Sequence, residues 1–250
     1  MRILRILLFV PALFVLAAVT AALPPASAQV VISATIAPPP LPVYEQPPIP
    51  GPGYLWIPGY WAFGPMGYYW VPGTWVLPPA IGLLWTPGWW GWSSGVYVWH
   101  AGYWGPHVGY YGGINYGFGY FGSGFEGGYW QGGHFYYNTT YTNVGHTHLQ
   151  YAYNRNVTYS NTGHVSHQGG PNGIQSQPTT QQQNWAREHH TPPTGPQTRH
   201  ETAARNYTQF HATVNKGNPP IGATPRPGQF GPKAGAPNTK SGQGGQQKHQ

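Results

Sequence analysis

Cysteine and aspartate are both missing from the 250 residues, and the acidic side chains are four glutamates, Glu45, Glu126, Glu188 and Glu201. Without a thiol the chain can make no disulfide, zinc–thiolate site, cysteine nucleophile or cysteine-linked lipid anchor. Glycoside hydrolysis needs two carboxylates within reach of one bond, and Glu126 alone lies in the aromatic part of the chain. A Ser-His-acid triad lacks a suitable acid and a nucleophile-elbow motif. No enzyme activity and no cofactor are expected. Lys and Arg are absent between Arg5 and Arg155. Binding of single-stranded nucleic acid calls for basic residues interleaved with aromatics; here they are segregated, and no nucleic-acid partner is expected.

Glycine and proline are abundant instead, at 37 and 29 residues. Together they exceed a quarter of the chain, which signals irregular sequence unless a period organises it. A period does. Trp56-Ile-Pro-Gly-Tyr-Trp61 returns as Trp70-Val-Pro-Gly-Thr-Trp75, Trp85-Thr-Pro-Gly-Trp-Trp90 and Trp99-His-Ala-Gly-Tyr-Trp104, with starts 14, 15 and 14 residues apart. Weaker copies follow at Tyr116–Phe121, Phe125–Trp130 and Trp130–Phe135. In the fourth copy His100-Ala101 replaces the usual residue and proline.

Trp, Tyr, Val and Thr favour strands, and turn formers between the copies (Gly64-Pro-Met-Gly67, Pro78–Gly82, Ser93-Ser-Gly95) predict successive antiparallel strands. The fold expected is all-β, a small antiparallel sheet of Trp-rich strands and hairpins. A mostly disordered tail with one or two short helices follows. Side chains alternate along a strand, so two Trp five positions apart point to opposite faces. A bulge at the motif glycine, Gly59, Gly73, Gly88, Gly102, Gly119, Gly128 or Gly133, would restore them to one face. The aromatic platform expected from this comprises Trp56, Trp61, Trp70, Trp75, Trp85, Trp89, Trp90, Trp92, Trp99, Trp104 and Trp130. The competing role for the paired Trp is a packed core, since so glycine-rich a module has little else to bury.

Residues 1–28 carry the pattern of a secretory signal peptide. Arg2 and Arg5 precede an apolar run, and Ala26-Ser27-Ala28 is a small-x-small cleavage site. Removing Arg2 and Arg5 takes the formal charge from +7 to +5. No later apolar run is long enough to span a bilayer. Residues 29–53 are Pro-rich and read as a stiff spacer, and 54–137 form the repeat module. Residues 138–177 read as a polar Asn/Thr/His-rich linker or irregular strands, 178–217 as a helical segment and 218–250 as a disordered basic tail. Within the helical segment a weak helix is expected over 181–190 and a stronger one over 197–215. In the second, Ala203, Tyr207, Phe210 and Val214 form a stripe, and Thr198 and Glu201 have capping-box spacing. Three histidine groups, His146 with His148, His164 with His167, and His189 with His190, stand close enough in sequence to share a metal ion.

The four strong motifs, with Gly-Tyr-Trp-Gln-Gly-Gly-His-Phe-Tyr-Tyr-Asn138, Gly169–Ile174 and Val214–Pro225, resemble the YXWGXW, or WXXGXW, repeat family of bacterial exported proteins. That resemblance implies a periplasmic, cell-envelope or secreted location and brings no active site with it. The function expected is structural or adhesive, with aromatics meeting an envelope glycan or another envelope protein. The alternative is a histidine-dependent periplasmic metal-binding protein.

Overall fold

The computed structural model describes residues 31–159 and 161–231; the signal-peptide pattern and the last part of the basic tail lie outside them. In chain order the strands are β1 (Ser33–Ala34), β2 (Leu55–Ile57), β3 (Tyr60–Gly64), β4 (Gly67–Val71), β5 (Gly73–Val76), β6 (Leu84–Thr86), β7 (Trp89–Ser93), β8 (Val96–His100) and β9 (Tyr103–Gly105). Next come β10 (Asn115–Gly117), β11 (Tyr120–Phe121), β12 (Gly128–Gln131), β13 (His134–Asn138), β14 (Ala152–Tyr153) and β15 (His167–Gln168). Helices α1 (Thr180–Trp185), α2 (Gly195–Arg205) and α3 (Ala212–Asn215) precede β16 (Ala223–Thr224). The protein is mostly strand, in small antiparallel and mixed sheets with short helices. Among the described residues no helix is long and apolar enough to cross a membrane.

Two motifs make one hairpin. β3 and β4 pair around Pro65-Met66, placing Trp61 opposite Trp70; beyond a break in each strand, β2 and β5 continue the hairpin with Trp56 opposite Trp75. The third and fourth motifs repeat the plan. β7 and β8 set Trp90 opposite Trp99, and β6 and β9 set Trp85 opposite Trp104. The breaks fall at Pro58-Gly59 facing Pro72-Gly73, and at Pro87-Gly88 facing Ala101-Gly102. Proline has no N–H to give a ladder, so the strands part there and resume.

The register across each break is unchanged, from Leu55 opposite Val76 to Gly64 opposite Gly67. The expected bulge at Gly59, Gly73, Gly88 and Gly102 is therefore absent. The register shift in the aromatic region lies between Asn115 and Gly117 in the β10–β11 pair. Tyr120, fully buried, lies between the two hairpins; its hydroxyl donates to Trp85 O at 3.0 Å and approaches Trp56 O at 3.4 Å.

The Pro-rich segment is not a spacer. It starts on the second hairpin, where β1 is antiparallel to β8, and then runs along the first, with Leu41 and Ile49 buried. The Leu41 and Ile49 amides donate to His164 O and Asn143 O. An extended proline-rich chain leaves its carbonyls unsatisfied by its own backbone, and two of them accept buried indoles: Trp61 Nε1 donates to Pro40 O at 3.0 Å and Trp75 Nε1 to Pro47 O at 2.8 Å.

Segments expected to be linker and disordered tail also join the sheets. β15 adds parallel to β7, and β16 adds parallel to β5. Ala223 and Thr224 are fully buried although composition predicted disorder from 218. Trp70 Nε1 donates to Gly222 O across the same edge. Strand addition of this kind uses main-chain groups, so side-chain periodicity does not announce it.

The expected long helix over 197–215 is broken into α2, a 3-10 turn over Thr208–Phe210, and α3. The stripe toward the sheets is polar at its start, with Gln197, His200 and Ala204 buried, and Val214 is exposed. The start is fixed one turn earlier than Thr198: Gln197 Oε1 accepts the Thr194 N–H at 2.8 Å. The weaker helix appears as α1, where Thr179 and Gln182 cap each other.

Candidate functional site: a tyrosine strip on the β12–β14 sheet

Seven of the Trp expected to form a platform are interior. Trp56, Trp61, Trp70, Trp75, Trp85, Trp90 and Trp104 are buried, and Trp89, Trp92, Trp99 and Trp130 are half-buried. The cross-strand pairs pack ring against ring, with centroids 5.1 to 5.3 Å apart. Several indole N–H groups find partners inside: Trp90 donates to Trp61 O at 2.8 Å, Trp104 to Gln197 Oε1 at 2.8 Å and Trp130 to Leu83 O at 3.0 Å, whereas that of Trp56 is buried without one among the described residues. These rings are the core, because their large apolar faces are what the glycine-rich chain has to bury.

The motif glycine serves that packing. A Cβ on Gly73 would lie 2.5 Å from Cζ2 of Trp56, and one on Gly59 would overlap Cζ2 of Trp70. Gly102 and Gly88 stand in the same relation to Trp85 and Trp99. Each motif's first Trp thus lies over the glycine of the motif opposite. The requirement is space, since these four glycines do not have positive φ.

The surface left over lies on the sheet ordered β12-β13-β14. β12 and β13 form a hairpin on a two-glycine turn, Gly132-Gly133, both at positive φ as a tight hairpin demands. Alternation then sorts the side chains. Phe135 and Tyr137 are buried and Trp130 reaches inward to Leu83, whereas Tyr129, at 43% exposure, His134 and Tyr136 lie on the outer face. β14 adds Tyr153, and Tyr151 precedes it.

The outer rings form a continuous strip. Tyr153 and Tyr129 have centroids 5.4 Å apart, Tyr129 and Tyr136 stack at 5.2 Å with planes 4° apart, Tyr136 and Tyr151 are 5.1 Å apart, and Tyr151 stacks on His134 at 4.2 Å. Interior tyrosines donate their hydroxyls: Tyr110 to Ser176 O, Tyr111 to Gly124 O, Tyr116 to Gly88 O and Tyr137 to Tyr54 O. The phenols of Tyr129, Tyr136, Tyr151 and Tyr153 have no such partner among the described residues. A groove of about 490 Å³ adjoins the strip, lined by Ile81, Trp130, His134, Leu149 and Tyr151, and its size is that of a small-ligand site.

Stacked rings shield one another's faces and offer their edges and hydroxyls. Such a surface can hydrogen-bond and pack apolar C–H groups at once, with little side-chain entropy to lose. The sequence signal for it was the Gly-Gly turn between two short aromatic runs, which with alternation puts Tyr129, His134 and Tyr136 on one face.

The candidate metal ligands do not converge: no group of three or more His or Glu able to hold a metal occurs among the described residues. His146, His148, His164 and His189 are exposed. His167 is buried edge-on against Tyr97, and His190 stacks on Tyr103 at 3.7 Å.

Three glutamates sit in separate networks. Glu126 pairs with Arg155 at 2.6 Å and Glu188 with His107 at 3.0 Å. Glu201 accepts the hydroxyls of Tyr60 at 3.1 Å and Tyr69 at 3.2 Å. Burial first, and Glu201 second, push the Tyr60 phenol well above its ordinary range and that of Tyr69 up to about 12. Both hydroxyls are therefore fixed as donors.

Paired Trp/Gly hairpins recurring along one chain define a Trp-rich, all-β repeat protein. The repeat is the WXXGXW repeat, whose family model matches in two copies, residues 51–76 and 83–104. No curated protein and no solved structure matches the chain.

Proposed function

We propose that this is an exported, non-enzymatic protein of the cell envelope, structural or adhesive in its work, which holds an envelope glycan on the strip formed by Tyr129, His134, Tyr136, Tyr151 and Tyr153. Export rests on the basic start, apolar run and small-x-small site of residues 1–28. A non-catalytic role accords with the separate engagement of Glu126, Glu188 and Glu201. The observation that carries the binding role is the row of four tyrosine hydroxyls without partners among the described residues, in a molecule whose interior tyrosines use theirs.

Sedimentation with insoluble peptidoglycan, and affinity electrophoresis in soluble envelope polysaccharides, test it. Replacing both Tyr129 and Tyr136 by Ala removes two contacts of about 1 kcal/mol each and should weaken binding by about tenfold or more. Trp emission should stay as in the parent, since the strip is outside the core. Full retention by the double variant would sink the assignment.

A further inference from the structure

The strand breaks of the two hairpins line a second, smaller cavity, under α2 and apart from the tyrosine strip. Its volume is about 80 Å³. A water needs about 10–15 Å³, so a group of a few heavy atoms fits. The walls are apolar: Pro58, Pro72, Pro87, Trp85, Trp99 and Ala101. Ala101 stands where the other three strong motifs have proline, and one wall is short of a ring on that account.

Three polar side chains of α2 line the cavity, Gln197, His200 and Glu201; both His200 ring nitrogens are engaged, with Pro72 O and the Gly228 N–H, and Gln197 and Glu201 share a helix face because they are four residues apart. Gln197 is 8% exposed. Its Oε1 accepts the Thr194 N–H at 2.8 Å, the Thr194 hydroxyl at 2.9 Å and the Trp104 indole N–H at 2.8 Å. Two of those groups can only donate, so the amide cannot be turned round. Its NH2 has no partner among the described residues and keeps contact with solvent, so it is free to donate into the cavity. The Glu201 carboxylate, with the hydroxyls of Tyr60 and Tyr69 on it and the Arg205 guanidinium 3.6 Å away, still has lone pairs free.

One donor and one acceptor over an apolar bed are the complement of a secondary amide with a small alkyl end. We propose that the cavity takes the acetamido group of an N-acetylated amino sugar. The carbonyl accepts from Gln197, the N–H donates to Glu201, and the methyl packs on the proline and Trp walls. The sugar ring is too large for the cavity and meets the half-buried stack of Tyr60 and Trp99, whose centroids are 5.2 Å apart. This inference rests on the cavity alone and stands or falls independently of the strip.

The test is titration of the protein with N-acetylglucosamine, glucose and N-methylacetamide, following the Gln197 side-chain amide and Trp99 indole resonances by nitrogen–proton NMR. Saturable shifts are expected with N-acetylglucosamine, weaker ones with N-methylacetamide, and none with glucose. Ala101→Pro restores the residue of the other motifs and fills the wall. Gln197→Glu keeps an acceptor for Thr194 and Trp104 and removes the free donor. Each should weaken N-acetylglucosamine by about tenfold or more, the worth of one buried hydrogen bond or lost contact area. Equal response to glucose, response to N-methylacetamide alone, or unchanged binding in both folded variants would overturn the proposal.

Discussion

Gly73→Ala is the sharpest perturbation of the core. At an unstrained site with room for a methyl and a compatible backbone, Gly→Ala stabilises by about 0.4–1 kcal/mol through the unfolded chain. Gly51 is such a site: nothing lies within 4 Å of the Cβ it would gain. At Gly73 the same methyl meets Trp56 Cζ2 at 2.5 Å, Cη2 at 3.0 Å and the Gly59 amide nitrogen at 3.1 Å. The indole has nowhere to retreat, being 2% exposed and packed edge-on against Trp75 at 5.1 Å. The backbone cannot yield cheaply either, because Gly73 also donates its N–H to Gly222 O at 3.1 Å.

Overpacking a rigid core costs about 1–3 kcal/mol, and a ring held on all sides puts this site at the upper end. With a urea dependence of about 2 kcal/mol per molar, a loss of about 3 kcal/mol lowers the unfolding midpoint by about 1.5 M. Gly51→Ala should leave the midpoint unchanged or slightly higher. Trp56→Phe removes both clashing carbons, so the double variant Gly73→Ala/Trp56→Phe should be more stable than the sum of the single changes implies, by about 1 kcal/mol or more. Equal midpoints for Gly73→Ala and Gly51→Ala would refute the steric role of the motif glycine.

Two further outcomes follow from the interior. The His200 ring is locked neutral: Nδ1 accepts the Gly228 N–H at 2.8 Å, which leaves Nε2–H to donate to Pro72 O at 2.8 Å. Burial lowers its pKa to about 4. The unfolded histidine titrates near 6.5, so the stability of the neutral ring is fully present above that pH. It is lost as pH falls toward 4, by about 3 kcal/mol in all; urea midpoints at pH 7 and pH 4.5 should show it, and His200→Gln should flatten the difference. Trp emission of the intact protein should be blue-shifted with a minor acrylamide-accessible fraction, and a mainly quenchable emission would contradict the buried hairpin pairs.

Some of this was legible in the residues. The fourteen-residue period of the motif, its Pro-Gly breaks and its turn formers led to short antiparallel strands, because those signals are local. Of the two roles open to the paired Trp, core and platform, most take the core, and they do so without the expected bulge for a non-local reason: Gly73 makes room for Trp56, a partner supplied by another copy of the motif. Proline-rich and Asn/Thr-rich segments carried no local signal of where they join the fold. What recruits them is main chain, the Pro40 and Pro47 carbonyls under buried indoles and the parallel additions at His167 and Ala223. The site itself was half visible: the Gly-Gly turn and alternation place Tyr129, His134 and Tyr136 on one face, but no local signal says which aromatics the core consumes.

Reciprocity between motifs also defines the unit of repetition. A single WxxGxW segment offers a Trp with no hollow to enter and a glycine with nothing to cover it. Two antiparallel copies in the register of Trp56 opposite Trp75 satisfy both at once, and each matched family copy, 51–76 and 83–104, spans such a pair. The weaker copies lack that exchange. Tyr116 gives its hydroxyl to Gly88 O, and Tyr120 lies between Trp56 O and Trp85 O, so they stitch the hairpins together where a strong motif would have paired with its twin. With the Trp consumed in pairs and these tyrosines consumed as ties, the hairpin of β12 and β13 is left with its outer aromatic face open. The surface proposed to bind a glycan is thus, among the described residues, a sheet on which the repeat has stopped being used for packing.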